Sequence, residues 1–331
     1  MTEQFGNTAA PAFKNRKGGL LAFGIIEIIL GGFCALAIPF MIFGMVMVRT
    51  VAQKSGAPPM NAGSMFFSVL IYGLLAAFFI TMGIGSIRAR RWARALMLVV
   101  SWLWLVVGIG SVIAMVFLFG HMFDKMAAGG QMPQAAIAIV KIVTTVFMTL
   151  FYIILPAIFV FFYRSPHVKA TCEQLDPVPR WTDRCPLPVL ALVLMFGYAA
   201  CCMPAMGFYN WAIPCFGRII TGAPGAAMVV VFAAVWGWMA WAASRQKIEA
   251  WWAAILITCF WAASACTTFA RVNIMDFYAQ MKFPKEQLDL MKSFMPDQSA
   301  LIAFGAIWFV AFIGYLIFTR RFFGRSAAPA A

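Results

Sequence analysis

The sequence predicts an all-α integral membrane protein of eight transmembrane helices, arranged as two fused four-helix units in a parallel pseudo-repeat. Three observations predict it. Hydrophobic residues make up 63% of the chain and charged residues 11%, where a soluble domain carries about 25% charged residues. Eight apolar stretches are each about long enough to cross a hydrocarbon core of ~30 Å. The stretch ILGGFCALAIP (Ile29 to Pro39) returns in outline as LMFGYAACCMP (Leu194 to Pro204), with Gly32 over Gly197 and Pro39 over Pro204 at one offset.

The expected spans are 18–48, 64–87, 96–119 and 136–163, then 187–203, 223–243, 251–270 and 299–318. They must be helices. Unpaired backbone groups are too costly in lipid, and barrel strands would read as roughly ten alternating residues. The first stretch exceeds the bilayer thickness, so it has to tilt, kink near Pro39 or project into solvent. A second echo supports duplication: Ser86 to Trp104 and Ser244 to Ala262 each give a short charged turn, then tryptophan, then a span. Because four is even, the two units share one orientation. The expected divisions are 1–163, a four-helix unit with a polar N-terminal arm, 164–186, a cytoplasmic linker, and 187–331, a second unit with a short disordered tail.

Basic residues set the orientation. The N-terminus, the even-numbered loops and the C-terminus hold 16 Lys and Arg, the odd-numbered loops hold 8, and Lys141 falls inside a span. Loops richer in Lys and Arg stay on the cytoplasmic side, so both termini are expected there, in an inner or plasma membrane. The net charge of +14 therefore reads as orientation and contact with anionic headgroups, and nucleic acid is not an expected partner. The apolar run 18–48 is too long for a signal-peptide core and is expected to be retained. The expected partners are the lipid bilayer and other membrane-protein subunits.

The central loop offers Ser165-Pro166, a helix start in which proline stands where no backbone donor is needed. A short helix to about Leu175 follows, ended by Pro177 and Pro179. In the last odd loop, Leu288, Met291, Phe294 and Met295 recur at helical spacing among charges and predict a short surface helix.

Missing residues argue against several activities. Both histidines, His121 and His167, lie in loops, so no span offers an axial haem ligand. No HExxH, Ser-His pair within a span, CxxC or phosphate-binding loop is written. Five of the eight cysteines, Cys34, Cys201, Cys202, Cys259 and Cys266, sit in spans and read as small apolar residues. His167, Cys172 and Cys185 lack the spacing of a structural zinc site. His121, Met122, Met126 and Met132 offer soft ligands of the type Cu(I) takes, but methionine serves equally as adaptable packing. No catalytic residue, cofactor or metal site is assigned.

Two ionisable residues fall inside spans, Glu27 in the first and Lys141 in the fourth. A charge at the bilayer centre costs at least ~2.5–3.5 kcal/mol and usually faces a partner or a wet cavity. Lys141 lies near one interface and can snorkel to it. Glu27 is expected inside the bundle, where it could meet Lys141 if their helices were neighbours. Gly32 and Gly197 are candidate close-packing positions, and Pro39 and Pro204 candidate kinks. The reading is a non-enzymatic membrane module, a structural, assembly or partner-binding subunit. The alternative is a transporter or channel for a small apolar solute or lipid, with a pathway between the two halves.

Overall fold

The computed structural model describes residues 13–55, 62–117, 133–283 and 285–324. The first three spans are α1 (Lys17–Ser55), α2 (Ala62–Ile87) and α3 (Arg91–Phe117). The fourth is α4 (Gln134–Thr149) and α5 (Leu155–Arg164), joined by a π-helical turn at Leu150–Ile154. The central loop carries α6 (Pro166–Leu175) and α7 (Trp181–Arg184). Then come α8 (Leu187–Cys202), α9 (Gly222–Ser244), α10 (Ile248–Phe269), the short α11 (Ile274–Gln280) and α12 (Lys285–Phe294), and α13 (Gln298–Thr319). Among the described residues, eight helical segments are long and apolar enough to cross a membrane. The structure is 84% helical, and the chain is a multi-pass membrane protein.

Helices in lipid gain little by hiding apolar side chains from one another, so close backbone approach decides which of them pair. α1 lies on α2 through glycine. A Cβ on Gly24 would stand 2.8 Å from the Gly83 carbonyl oxygen, and one on Gly83 would stand 2.6 Å from that of Gly24. Two turns further along, Gly31 meets the Ala76 carbonyl in the same way at 3.0 Å. α3 lies on the fourth span through Gly108, where a Cβ would fall 1.9 Å from the Tyr152 carbonyl oxygen. Pro156 lacks the N–H that would bond back to that carbonyl. The π turn and the bare Gly108 Cα together make room for it.

The pairing order is the same in both halves. α1 packs on α2, α2 on α3, and α3 on the fourth span; α8 packs on α9, α9 on α10, and α10 on α13. The halves meet where α3 touches α8. They meet again where the Trp308 indole of α13 covers Gly110 of α3, so closely that a Cβ there would lie 2.1 Å from the ring.

One face gathers the start of α1, the central loop and the end of α13. The Arg16 amide donates to Thr171 Oγ1 at 3.0 Å, the Gln246 side-chain amide to the Arg184 carbonyl at 3.3 Å, and the Gly324 amide to the Gln246 carbonyl at 3.2 Å. The α2–α3 and α9–α10 turns on this face have one geometry. Each puts a non-glycine residue in the left-handed region, Ala89 (φ 50) and Gln246 (φ 54). The Ala89 amide donates to the Ser86 carbonyl and the Gln246 amide to that of Ala243, at 2.9 and 2.8 Å. The turns therefore match Ala89 to Gln246, one residue out of register with an alignment of Ser86 on Ser244.

Other sequence expectations meet local geometry of their own. α1 continues through Pro39 and would be about 58 Å long at ~1.5 Å per residue, more than a bilayer core. Pro204, by contrast, stands in a 3₁₀ segment, Met203–Tyr209, into which the chain passes after α8. A Cβ at Gly32 or Gly197 would meet nothing within 4 Å, so the close approaches fall on the other glycines named above. The helices expected in the central loop and at Leu288–Met295 are present as α6 and α12, though Ser165 makes no side-chain cap bond. Unforeseen is a hairpin of β1 (Ile213–Cys215) and β2 (Arg218–Ile220), antiparallel in register Ile213 to Ile220. Phe216 (φ 41) and Gly217 (φ 91) form its turn, as a two-residue hairpin loop requires. Ser264 and Thr268 of α10 hold it: Ser264 Oγ donates to the Pro214 carbonyl at 2.8 Å, and the Gly217 amide donates to Thr268 Oγ1 at 3.0 Å.

Gly108→Val is expected to push α3 off the fourth span. Thermal unfolding in detergent should show a loss of about 1–3 kcal/mol, the usual cost of overpacking. Gly32→Val, facing open space, should leave the midpoint within error.

Candidate functional site

Glu27 is fully buried. Its carboxyl is the acceptor in a ring of three polar groups from three spans. Tyr163 of α5 donates its hydroxyl to Glu27 Oε1 at 2.6 Å, and Ser86 of α2 donates to Oε2 at 3.0 Å. The two hydroxyl oxygens lie 2.8 Å apart. Phe23, Phe159 and Phe162 pack around the ring and keep it dry: Phe23 stacks on Phe162 at 3.9 Å and meets Phe159 edge-on at 5.3 Å.

The level of this ring follows from the helix ends. Ser86 is one residue before the end of α2, and Tyr163 one before the end of α5. Glu27 therefore sits near the terminal face, not at mid-span, and α1 extends beyond it to contact α6. Lys141 stands exposed on α4, 22 residues before Tyr163 and so about 33 Å away at ~1.5 Å per residue. The two intramembrane charges do not meet. In the second half, Leu192, which the sequence offset places over Glu27, is also fully buried, but in an apolar cluster with Phe196, Met239 and Ala243.

A second polar site lies on the terminal face, where α6 and α7 cover the start of α3. Asp176 accepts from Arg90 Nη1 at 3.2 Å and from the Arg91 backbone amide at 3.3 Å, capping α3. Arg91 Nη2 pairs with Glu173 at 3.2 Å, and its Nε stands 3.9 Å from Asp183. Between these elements is a cup of about 340 Å³ lined by Arg91, Arg94, Lys169, Thr182, Cys172 and Cys185, among others. Three buried polar atoms with no hydrogen-bond partner border it: Arg91 Nε, Arg94 Nε and Thr182 Oγ1. Burial pushes the Cys172 thiol up to about 11 against the pull of nearby Arg94, and Cys185 likewise up to about 11. At neutral pH both are thiols, and it is the thiolate that binds metal or attacks.

An apolar cavity of about 470 Å³ lies between the halves. Leu98, Trp102 and Val106 of α3, Ala191 and Met195 of α8, and Trp308 and Tyr315 of α13 are among its walls. Leu187 lines both this groove and the polar cup. Tyr315 closes one rim by donating its hydroxyl to the Pro188 carbonyl at 2.7 Å. Glu27 and Lys141 line neither cavity.

Among the described residues, no three His, Cys, Asp or Glu side chains gather as a metal site. The His167 Nδ1 instead faces the Lys14 amide at 3.4 Å. His121, Met122, Met126 and Met132 lie outside the described residues. Sequence reasoning passed over Ser86, Tyr163, Arg94 and Thr182. A lone serine or tyrosine at a span end carries no pattern, and Arg94 counted only towards orientation. No family, curated protein or solved structure matches this chain.

The ring makes opposite forecasts for two substitutions. Glu27→Gln keeps an acceptor for Tyr163 and should fold with nearly unchanged thermal stability. Glu27→Leu strips Ser86 and Tyr163 of their shared acceptor and should cost about 1–3 kcal/mol. Detergent melting curves distinguish the two, and equal midpoints for the Leu variant and the parent would refute a structural role.

Proposed function

We propose that the protein is a non-enzymatic membrane module of two four-helix units that holds a lipid-like molecule in the groove between them. The apolar wall of that groove carries the proposal. A pathway for ions or polar solutes would be lined by charged or amide groups, but neither Glu27 nor Lys141 lines this groove. Ligand sites of about 300–1,000 Å³ are concave and mostly apolar, and a hydrocarbon chain needs no polar partner there.

The two-unit organisation is supported by the common order of helix pairing and by the matched turns at Ala89 and Gln246. Under this reading the units are related about an axis near the membrane normal. The central loop 164–186 belongs with the first unit, because α6 packs on α1, α3 and α5. The excess of Lys and Arg on the face that gathers the chain ends supports a cytoplasmic placement of both ends. The exposed phenylalanines of the outer surface, Phe33, Phe40 and Phe161 among them, suit contact with lipid or with other membrane subunits.

The transport alternative keeps one point in its favour, because the groove lies at the junction of the halves, where fused repeats place a moving pathway. Counting co-purified lipid tests both readings. Ala311 is exposed on the groove wall, so Ala311→Phe should fill the space, fold normally and lower retained lipid at least severalfold in native mass spectrometry. Unchanged retention would refute the groove as a lipid seat. Reporter fusions at Ala331 and within 49–63 check the orientation: activity of an externally active reporter at Ala331 would overturn it.

A further inference from the structure

We propose that the cup of Arg91, Arg94, Lys169 and Thr182 binds the phosphate of an anionic phospholipid whose acyl chains lie in the adjoining groove. This rests on the groove reading above and names the class of its occupant. Three observations carry it. The Arg94 Nε is buried and has no hydrogen-bond acceptor. Thr182 is 3% exposed, and its Oγ1 also lacks a partner. Both line one cavity, as does Arg91, whose Nε makes no hydrogen bond and stands 3.9 Å from Asp183. A buried donor left unpaired costs about 1–3 kcal/mol, and more when charged. Such losses concentrated on one cavity mark a place where a ligand supplies the acceptors.

The chemistry of that ligand follows from the donors. Guanidinium groups present a planar fork that matches two oxygens of a phosphate, and a threonine hydroxyl can give the third bond. The acidic groups do not cancel this. Glu173 is paired with Arg91 and lies 3.8 Å from Lys169, and Asp183 lies by Arg91 and accepts the Arg180 amide at 2.8 Å. Asp176 is committed to Arg90 and the α3 terminus. Glu173 and Asp183 also act on the Arg94 charge, yet three cations and two carboxylates on the cup wall leave it net positive.

Position selects a lipid over a soluble phosphate. Ala95 and Leu187 border the cup, while Leu98, Leu187 and Ala191 border the groove. Leu98 lies four residues beyond Arg94, one helical turn deeper. A molecule with its phosphate on Arg94 therefore meets apolar walls within one turn.

The test uses the purified full chain in zwitterionic detergent, with added phosphatidylglycerol, phosphatidylcholine or inorganic phosphate. Phosphatidylglycerol should raise the melting midpoint and remain bound in native mass spectrometry, and phosphatidylcholine should do neither. Arg94→Gln should weaken phosphatidylglycerol about tenfold to a hundredfold, the range of one charge-assisted hydrogen bond. Without lipid, the same variant should melt at or above the parent, because a buried guanidinium nitrogen with no acceptor has been removed. A lower midpoint whether or not lipid is present would make Arg94 structural and overturn the proposal. If Ala311→Phe abolishes retention and Arg94→Gln does not, the headgroup site fails while the groove stands. If neither variant changes retention, both fail. If inorganic phosphate reproduces the shift, the lipid source is overturned in favour of a soluble oxyanion.

Discussion

Close backbone approach between helices governs this structure, because hydrocarbon offers no reward for burying one leucine against another. Among the close approaches are three at glycine, the last of them with a ring in place of a carbonyl. Gly24 and Gly83 let α1 and α2 exchange carbonyl contacts, Gly108 receives the Tyr152 carbonyl, and Gly110 lies under the Trp308 ring. The first two fix the helix pairs of the first unit. The third joins α3 to α13, and its Trp308 is part of the groove wall. The outer surface is left to bulky apolar side chains, which lipid can solvate.

With so little polar surface, each buried polar group has a local consequence. The ring of Glu27, Ser86 and Tyr163 ties α1, α2 and α5 together at the level where two of them end. Mutual hydrogen bonds offset its desolvation, and the aromatic shell of Phe23, Phe159 and Phe162 keeps competing water out. Leu192, which the sequence offset places over Glu27, is buried instead in an apolar cluster with Ala243 and Met239 and needs no such offset.

The ring and the cup lie on the same face but answer different physical demands. In the ring every oxygen has a partner, which suits a fixed joint. In the cup, Arg91 Nε, Arg94 Nε and Thr182 Oγ1 have no hydrogen-bond partner, and Leu187 lines both the cup and the apolar groove. Polar satisfaction in one place and its lack in the other separates what holds the fold from what is open to a ligand.

Composition and run length alone determined the class, the eight crossings and the helical state, because an apolar run in lipid has few other ways to satisfy its backbone. Proline and serine in the central loop sufficed for α6, and periodic apolar residues among charges for α12. The candidate site was legible only in Glu27, whose cost in a span is visible without any partner. Its partners were not, since Ser86 and Tyr163 are 59 and 136 residues away in the chain and only folding brings them together. The same holds for the glycines. Gly32 and Gly197 drew notice because they recur, yet contact depends on which side of a helix faces its neighbour, and that side belongs to Gly24, Gly31 and Gly83. Whether Arg94 is one more orienting charge or an unpartnered donor in a cavity was decided by where α6 and α7 fold back. That is a tertiary fact, because charge counts fix which side of the membrane a loop occupies but not what its side chains surround.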